Sequence, residues 1–141
     1  MTIPAQAVCA LIFHPEDSNY ILGVSRKDND QAFGLVGGKV DPGETHEQAI
    51  IRETYEETDF RFTISSRLLE KLCEGEVDYV CTTFVGTINF YPPIDWKGQK
   101  PGEGIIKWCT KQELFDGPFG EYNKTLFEVL DFNQKFANMR K

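Results

Sequence analysis

Residues 38–57 constrain this chain more than any other stretch. Gly38-Lys39-Val40-Asp41-Pro42-Gly43-Glu44 reads as a glycine-rich turn, and Arg52-Glu53-Thr54-Tyr55-Glu56-Glu57 falls on the helix that follows. Pro42-Gly43 supplies the turn, and Thr45 with Gln48 three residues on is a capping-box start. At about 100° per residue, Glu53, Glu56 and Glu57 share an arc of roughly 100°. Like charges at that spacing repel, by roughly a few tenths of a kcal/mol per pair. An isolated acidic pair is ordinarily a solvated helix face. Three carboxylates in one frame with a glycine turn need something to offset the repulsion, and a hard divalent cation, Mg²⁺ or Mn²⁺, suits oxygen ligands.

The charge balance agrees. The chain has 141 residues and a net charge of −7, the size of one domain with a real core. An acidic chain lacks the basic stripe of a general nucleic-acid-binding surface. It holds a polyanion only through bridging metal and a few placed cations. The first residues, Met1 to Gln6, carry no signal-peptide pattern, and no apolar run reaches the roughly 20 residues of a membrane span. Cys9, Cys73, Cys81 and Cys109 are far apart and form no Cys-x-x-Cys pair, so free thiols in a reducing, cytoplasmic compartment are expected. His14 and His46 stand at no zinc-ligand spacing to them.

Along the chain, residues 5–13 read as a buried strand. Tyr20–Val24 is a second strand pairing back on it as a hairpin. Residues 25–31 form a polar loop, and Ala32–Val36 a short strand entering Gly37-Gly38. After the acidic helix, Arg61–Ser65 opens a β-rich half whose longest strand candidate is Val77–Phe90. Asp95–Gly104 is a loop by composition, and Ile105–Cys109 a strand. Thr110 with Glu113 caps a short helix. From Tyr122 to about Ala137, Leu126, Val129, Leu130 and Phe136 share one side of an amphipathic closing helix. The pattern predicts one mixed α/β sandwich spanning 1–141.

The frame from Gly38 through Glu44, Arg52-Glu53 and Glu56-Glu57 to Phe60 resembles the Nudix box, the signature of hydrolases that cleave nucleoside diphosphates linked to another moiety. Thr54 stands where the family has an aliphatic residue, and Asp59 where it has a helix-ending glycine. The resemblance implies an α/β/α Nudix fold with a mixed sheet. It also implies metal ligation by Glu56, Glu57 and the Gly38 carbonyl. Glu53, at the middle of the acidic arc, is the candidate base or water-orienting residue, or else one more ligand. Arg52 keeps its proton and is read as an orienting partner to a box carboxylate. Glu44, at the positive end of the helix dipole, braces the turn.

Relatives carry a further acidic residue before a Trp-containing strand; Glu103 occupies that kind of place, with Asp95 competing. The segment upstream of the box is similar to the MutT-like branch, which implies a nucleoside triphosphate substrate, in some members an oxidised guanine nucleotide. In that branch an asparagine before the closing helix reads the base, the place held by Asn123, unless it serves as a helix cap. Arg26 is either a phosphate partner or a solvated cation. Phe33 and Phe119 could stack on a base, although buried core is the expected fate of each. Gly75-Glu76 replaces the proline of ADP-ribose-cleaving members, and Tyr79 imperfectly matches a tyrosine of dinucleoside-polyphosphate members. A nucleotide sugar, a dinucleoside polyphosphate or a capped RNA remain as alternative substrates, and a nucleotide-binding sensor as an alternative role.

Overall fold

Near-continuous apolar runs at residues 8–12 and 21–24 build a sheet buried on both faces, and helices cover both. The computed structural model describes residues 4–74 and 77–139. Strands β1 (Ala5–Leu11), β2 (Tyr20–Arg26) and β3 (Asn29–Lys39) precede helix α1 (His46–Thr58). Then come β4 (Phe62–Cys73), β5 (Tyr79–Ile88), β6 (Lys97–Gln99), β7 (Ile105–Thr110), α2 (Lys111–Phe115) and α3 (Gly120–Met139). The sheet order is β4-β5-β1-β3-β2-β7-β6. β1 and β5 run parallel, and the other pairings are antiparallel. The expected α/β/α sandwich with a mixed sheet is the fold of the chain.

Val8, Ala10, Ile12, Leu22, Val24, Val36, Phe84 and Trp108 face Ala49 and Ile50 of α1 in the larger core. Residues of the opposite parity, Leu11, Ile21, Phe33 and Cys109, pack against Leu114 of α2 and Phe127 of α3. Period-two alternation sorts them to the two faces. Among the described residues no helix is long and apolar enough to cross a membrane. Gly75 and Glu76, on which the ADP-ribose alternative turned, lie outside the described residues, as do Met1 to Ile3 of the amino terminus.

Several expected boundaries are corrected. β1 and β2 are not a sheet hairpin, because β3 lies between them. Its 33–35 portion pairs with β2 and its 36–39 portion with β1. The chain beyond β1 still meets β2 through the Phe13–Ile21 bridge. The polar stretch 25–31 is a hairpin end with its turn at Lys27-Asp28, since Arg26 pairs with Asn29; exposed strand tips carry loop-like composition. Gly37 and Gly38 belong to β3 rather than to the turn. β4 extends to Cys73 and pairs with β5 from end to end, its extra residues taken up at irregularities at Ile64/Ser66 and Arg67/Leu69 that disturb the alternation. Residues 97–99 form an edge strand inside the expected loop. In α3 the packed face ends near Leu130, and Phe136 is exposed, its ring stacked on Phe132.

Helix α1 begins as its sequence dictates. Gln48 N donates to Thr45 Oγ1 at 3.0 Å, and Thr45 N donates to Gln48 Oε1 at 2.9 Å. The two departures from the box are both accommodated. Thr54 is fully buried, and its hydroxyl donates to the Ile50 carbonyl at 2.7 Å, so no polar group is left orphaned. Asp59 ends the helix at φ 65°, with its N–H donating to Tyr55 O at 2.8 Å. Asp tolerates this left-handed region better than most residues, at a cost of about 1 kcal/mol.

Candidate active site

Arg52 sits at the hub of the acidic helix. Its Nε and Nη2 donate to the two oxygens of Glu44 at 2.7 and 2.9 Å. Nη1 donates to Glu53 at 3.0 Å and Glu56 at 3.1 Å, and Nη2 also reaches the Lys39 carbonyl at 3.0 Å. The fork of Arg52 thus ties the turn, through Glu44, to two carboxylates of the helix face. Glu44 is fixed in return by the Asp41 amide at 3.0 Å. Arg52 holds the Glu44 carboxyl down to about 2, with the Asp41 amide helping, and its own pKa rises against Glu44.

Beside this hub, Glu53, Glu56, Glu57 and Glu103 line a cavity of about 350 Å³ with Lys27 and Gly37. β3 and α1 set its floor. Gly37 N donates to Glu57 Oε1 at 2.8 Å. Burial nevertheless pushes the Glu57 carboxyl up to about 8, with Glu53 and Glu103 adding to the shift and the amide opposing it. Glu53 is also raised: burial outweighs the lowering by Arg52. Clustered and part-buried, Glu53 and Glu57 hold their protons more tightly than free carboxyls do, and a cation seated among them would reverse that preference.

The sequence-derived residues divide cleanly. Gly38, Glu44, Arg52, Glu53, Glu56, Glu57 and Glu103 are brought together, whereas Asp95 is exposed and does not line the cavity. Arg26 points elsewhere, paired with Asp28 at 2.8 and 3.0 Å. Its neighbour Lys27 faces the carboxylates instead, 3.8 Å from Glu103. Lys27 lies in the turn beyond β2, where strand alternation no longer decides which side chain faces inward, and Asp28 holds Arg26 away.

A second cavity of about 160 Å³ shares Gly37 with the first and is lined largely by apolar surface, with Leu35, Tyr79, Phe119 and Tyr122 around it and the amide of Asn123 beside them. Asn123 lies within the first turn of α3, not at its cap, and is buried, with Nδ2 donating to the Leu114 carbonyl at 3.2 Å. Phe33 lines neither cavity; it is core, beneath the Lys107 ammonium. Phe119 departs from expectation in the other direction. It is half exposed at the rim of the second cavity.

The donor set suits a hard divalent cation. Every acidic ligand is a carboxylate, and Gly38 lacks the Cβ that would strike the Glu53 carboxylate at 2.4 Å. Among the described residues no three acidic, imidazole or thiol groups already converge at metal-holding distance. Glu56, more than half exposed, is the carboxylate with most freedom to turn inward.

A mixed sheet between helices, with a part-buried carboxylate cluster braced by an arginine fork, defines a Nudix-type domain. A model of the NUDIX domain family matches residues 3–130, and the chain belongs to that family. It is 41% identical over 59 residues to a Bacillus subtilis (strain 168) protein whose name proposes 8-oxo-dGTP diphosphatase activity. That alignment covers 42% of this chain and 39% of the relative. Among solved structures, the NUDIX hydrolase from Nitrosomonas europaea superposes with a TM-score of 0.69 at 21% identity, over 90% of each chain. The MutT NUDIX hydrolase from Burkholderia pseudomallei gives 0.70 at 21% identity, over 91% of this chain and 98% of that one. At such identities these structures speak for the fold. Nudix hydrolases generally use divalent metal ions.

Proposed function

We propose that this chain is a Mg²⁺-dependent (or Mn²⁺-dependent) nucleoside triphosphate pyrophosphohydrolase, releasing a nucleoside monophosphate and pyrophosphate. One observation carries the reading: the acidic cavity and the largely apolar cavity share Gly37 between them. A phosphate chain in the first and a base in the second would span the join. The name of the Bacillus subtilis relative favours an oxidised guanine nucleotide among the triphosphates.

Glu56, Glu57, Glu103 and the Gly38 carbonyl are the groups that would hold the cation. When bound, such an ion neutralises phosphate charge and lowers the pKa of water. The protein's own part is placement. Glu53, fixed between Arg52 and Gly38, orients the attacking water or takes its proton. Arg52, bound to Glu44, Glu53 and Glu56, keeps the face in register without giving up a proton. Lys27 is the cation nearest to hand for a phosphate oxygen. Phe119 and Tyr79 offer rings to a base, and Asn123 offers an amide. We read the enzyme as cytoplasmic, in keeping with its four free cysteines.

The test is a panel of nucleoside triphosphates, oxidised guanine forms, nucleotide sugars and dinucleoside polyphosphates with Mg²⁺, followed by phosphorus NMR. Triphosphate turnover to pyrophosphate, abolished in Glu57→Gln with nucleotide binding retained, is the expected result. A chain that binds nucleotide but turns over no member of the panel is a sensor, and the reading fails.

A further inference from the structure

Lys100, in the loop between β6 and β7, reaches the C-terminal end of α1. Its Nζ lies 2.8 Å from Asp59 Oδ1, donates to the Tyr55 carbonyl at 3.3 Å, and stands 5.7 Å from the centre of the Tyr55 ring. The last turn of α1 has no basic residue of its own. The cation that a helix C-terminus favours is therefore supplied from another part of the chain. Asp59, left-handed at φ 65°, closes that end and presents its carboxylate to Lys100.

The same loop carries Glu103. Glu103 N donates to the Lys100 carbonyl at 3.0 Å, with Pro101 and Gly102 (φ 80°) at the centre, the pattern of a type II turn. Gln99 Nε2 holds the Glu103 carbonyl at 3.0 Å. Glu103 thus stands at a fixed offset from Lys100. Lys100 in turn is docked on the helix that bears Glu53, Glu56 and Glu57. Two ends of one acidic cavity are joined through a contact that lies outside it.

We propose that the Lys100–Asp59 contact is a positioning device that sets Glu103 against the carboxylates of α1. The inference rests on reading the cavity as a divalent-cation site. An exposed ion pair does little for stability, so its effect belongs at the cavity rather than in the melting temperature.

Manganese binding, followed by electron paramagnetic resonance, separates the possibilities by sign. Removing a cation near clustered carboxylates would by Coulomb's law alone tighten Mn²⁺ binding. Loss of Glu103 placement weakens it. Lys100→Met should weaken Mn²⁺ affinity on the order of ten-fold, as loss of an outer-shell partner does, with the melting temperature little changed. In a Glu103→Gln background the same substitution should no longer weaken binding. Should Lys100→Met not fold, Asp59→Asn keeps a residue tolerant of the left-handed region; since losing that anion weakens Mn²⁺ binding by Coulomb's law as well, its result is read only from whether the weakening shrinks in the Glu103→Gln background. Wild-type protein that binds no Mn²⁺ would overturn the cation-site reading itself. Wild-type binding with unchanged or tighter affinity in Lys100→Met, or weakening that persists without Glu103, would overturn the positioning role alone.

Discussion

The carboxylate of Glu53 occupies the space where a side chain at Gly38 would begin: a Cβ there would lie 2.4 Å from Cδ and 2.5 Å from both oxygens. The obstacle is the far end of a flexible side chain, so the fold can give way. We expect Gly38→Ala to fold with near-normal stability but to push Glu53 out of place. A displacement of about 1 Å at a reacting group costs on the order of 10²-fold, and Glu53→Gln should slow hydrolysis by a comparable or larger factor. Gly37→Ala meets the Val8 carbonyl at 2.2 Å, which is backbone. That variant should lose about 1–3 kcal/mol of stability. Chemical denaturation and steady-state kinetics of the three variants distinguish a displaced carboxylate from a strained strand.

Arg52 and Glu44 make a two-point contact that lysine cannot copy. Arg52→Lys should therefore lower kcat by about ten-fold or more while leaving nucleotide KM nearly unchanged. The kcat-against-KM split is the measurement. A rise in KM at constant kcat would move Arg52 from orientation to binding.

The same pair predicts an acid dependence. Glu44 titrates at about 2 in the folded chain against an ordinary 4.5. A depressed carboxylate adds stability that is fully present above its unfolded value and is lost as pH falls through the folded one. The difference in urea midpoint between wild type and Glu44→Gln should be largest near neutrality and shrink between about pH 4.5 and pH 2. A difference that stays constant through that window would contradict the assignment.

Phe119 is half exposed and lines the second cavity, so truncating it leaves little void behind. If it stacks on a base, Phe119→Ala forfeits about 1–3 kcal/mol of binding, seen as a rise in KM, with small effect on the melting temperature. Phe33→Ala, a core truncation, should do the reverse and cost about 3–5 kcal/mol of stability.

What could be read in advance follows from the range of the signals. The start of α1, its carboxylate arc and the Arg52 contacts to Glu44, Glu53 and Glu56 all depend on neighbours within a dozen residues, and capping and helical period describe those well. Glu103 could be placed in the cavity only through relatives, because a turn and a docked lysine, not a local pattern, bring it there. The choice of Lys27 over Arg26 was hidden because both sit at a hairpin tip, where the Arg26–Asp28 pair rather than strand alternation sets their directions. Phe119 was hidden because burial of an aromatic depends on how α2 and α3 meet the sheet. The pairing of β1 with β3 and β5 was invisible for the same reason: partners were chosen across the fold, while adjacent segments suggested a simple hairpin.

The proposed hydrolysis depends above all on the acidic cavity taking a divalent cation against a phosphate chain. Crystals grown with Mn²⁺ and a non-hydrolysable nucleoside triphosphate, examined by anomalous scattering, address that directly. The predicted map has manganese in contact with Glu56, Glu57 and phosphate oxygens, with the base in the cavity at Phe119. Nucleotide bound elsewhere, or bound there with no metal among those carboxylates, would contradict it.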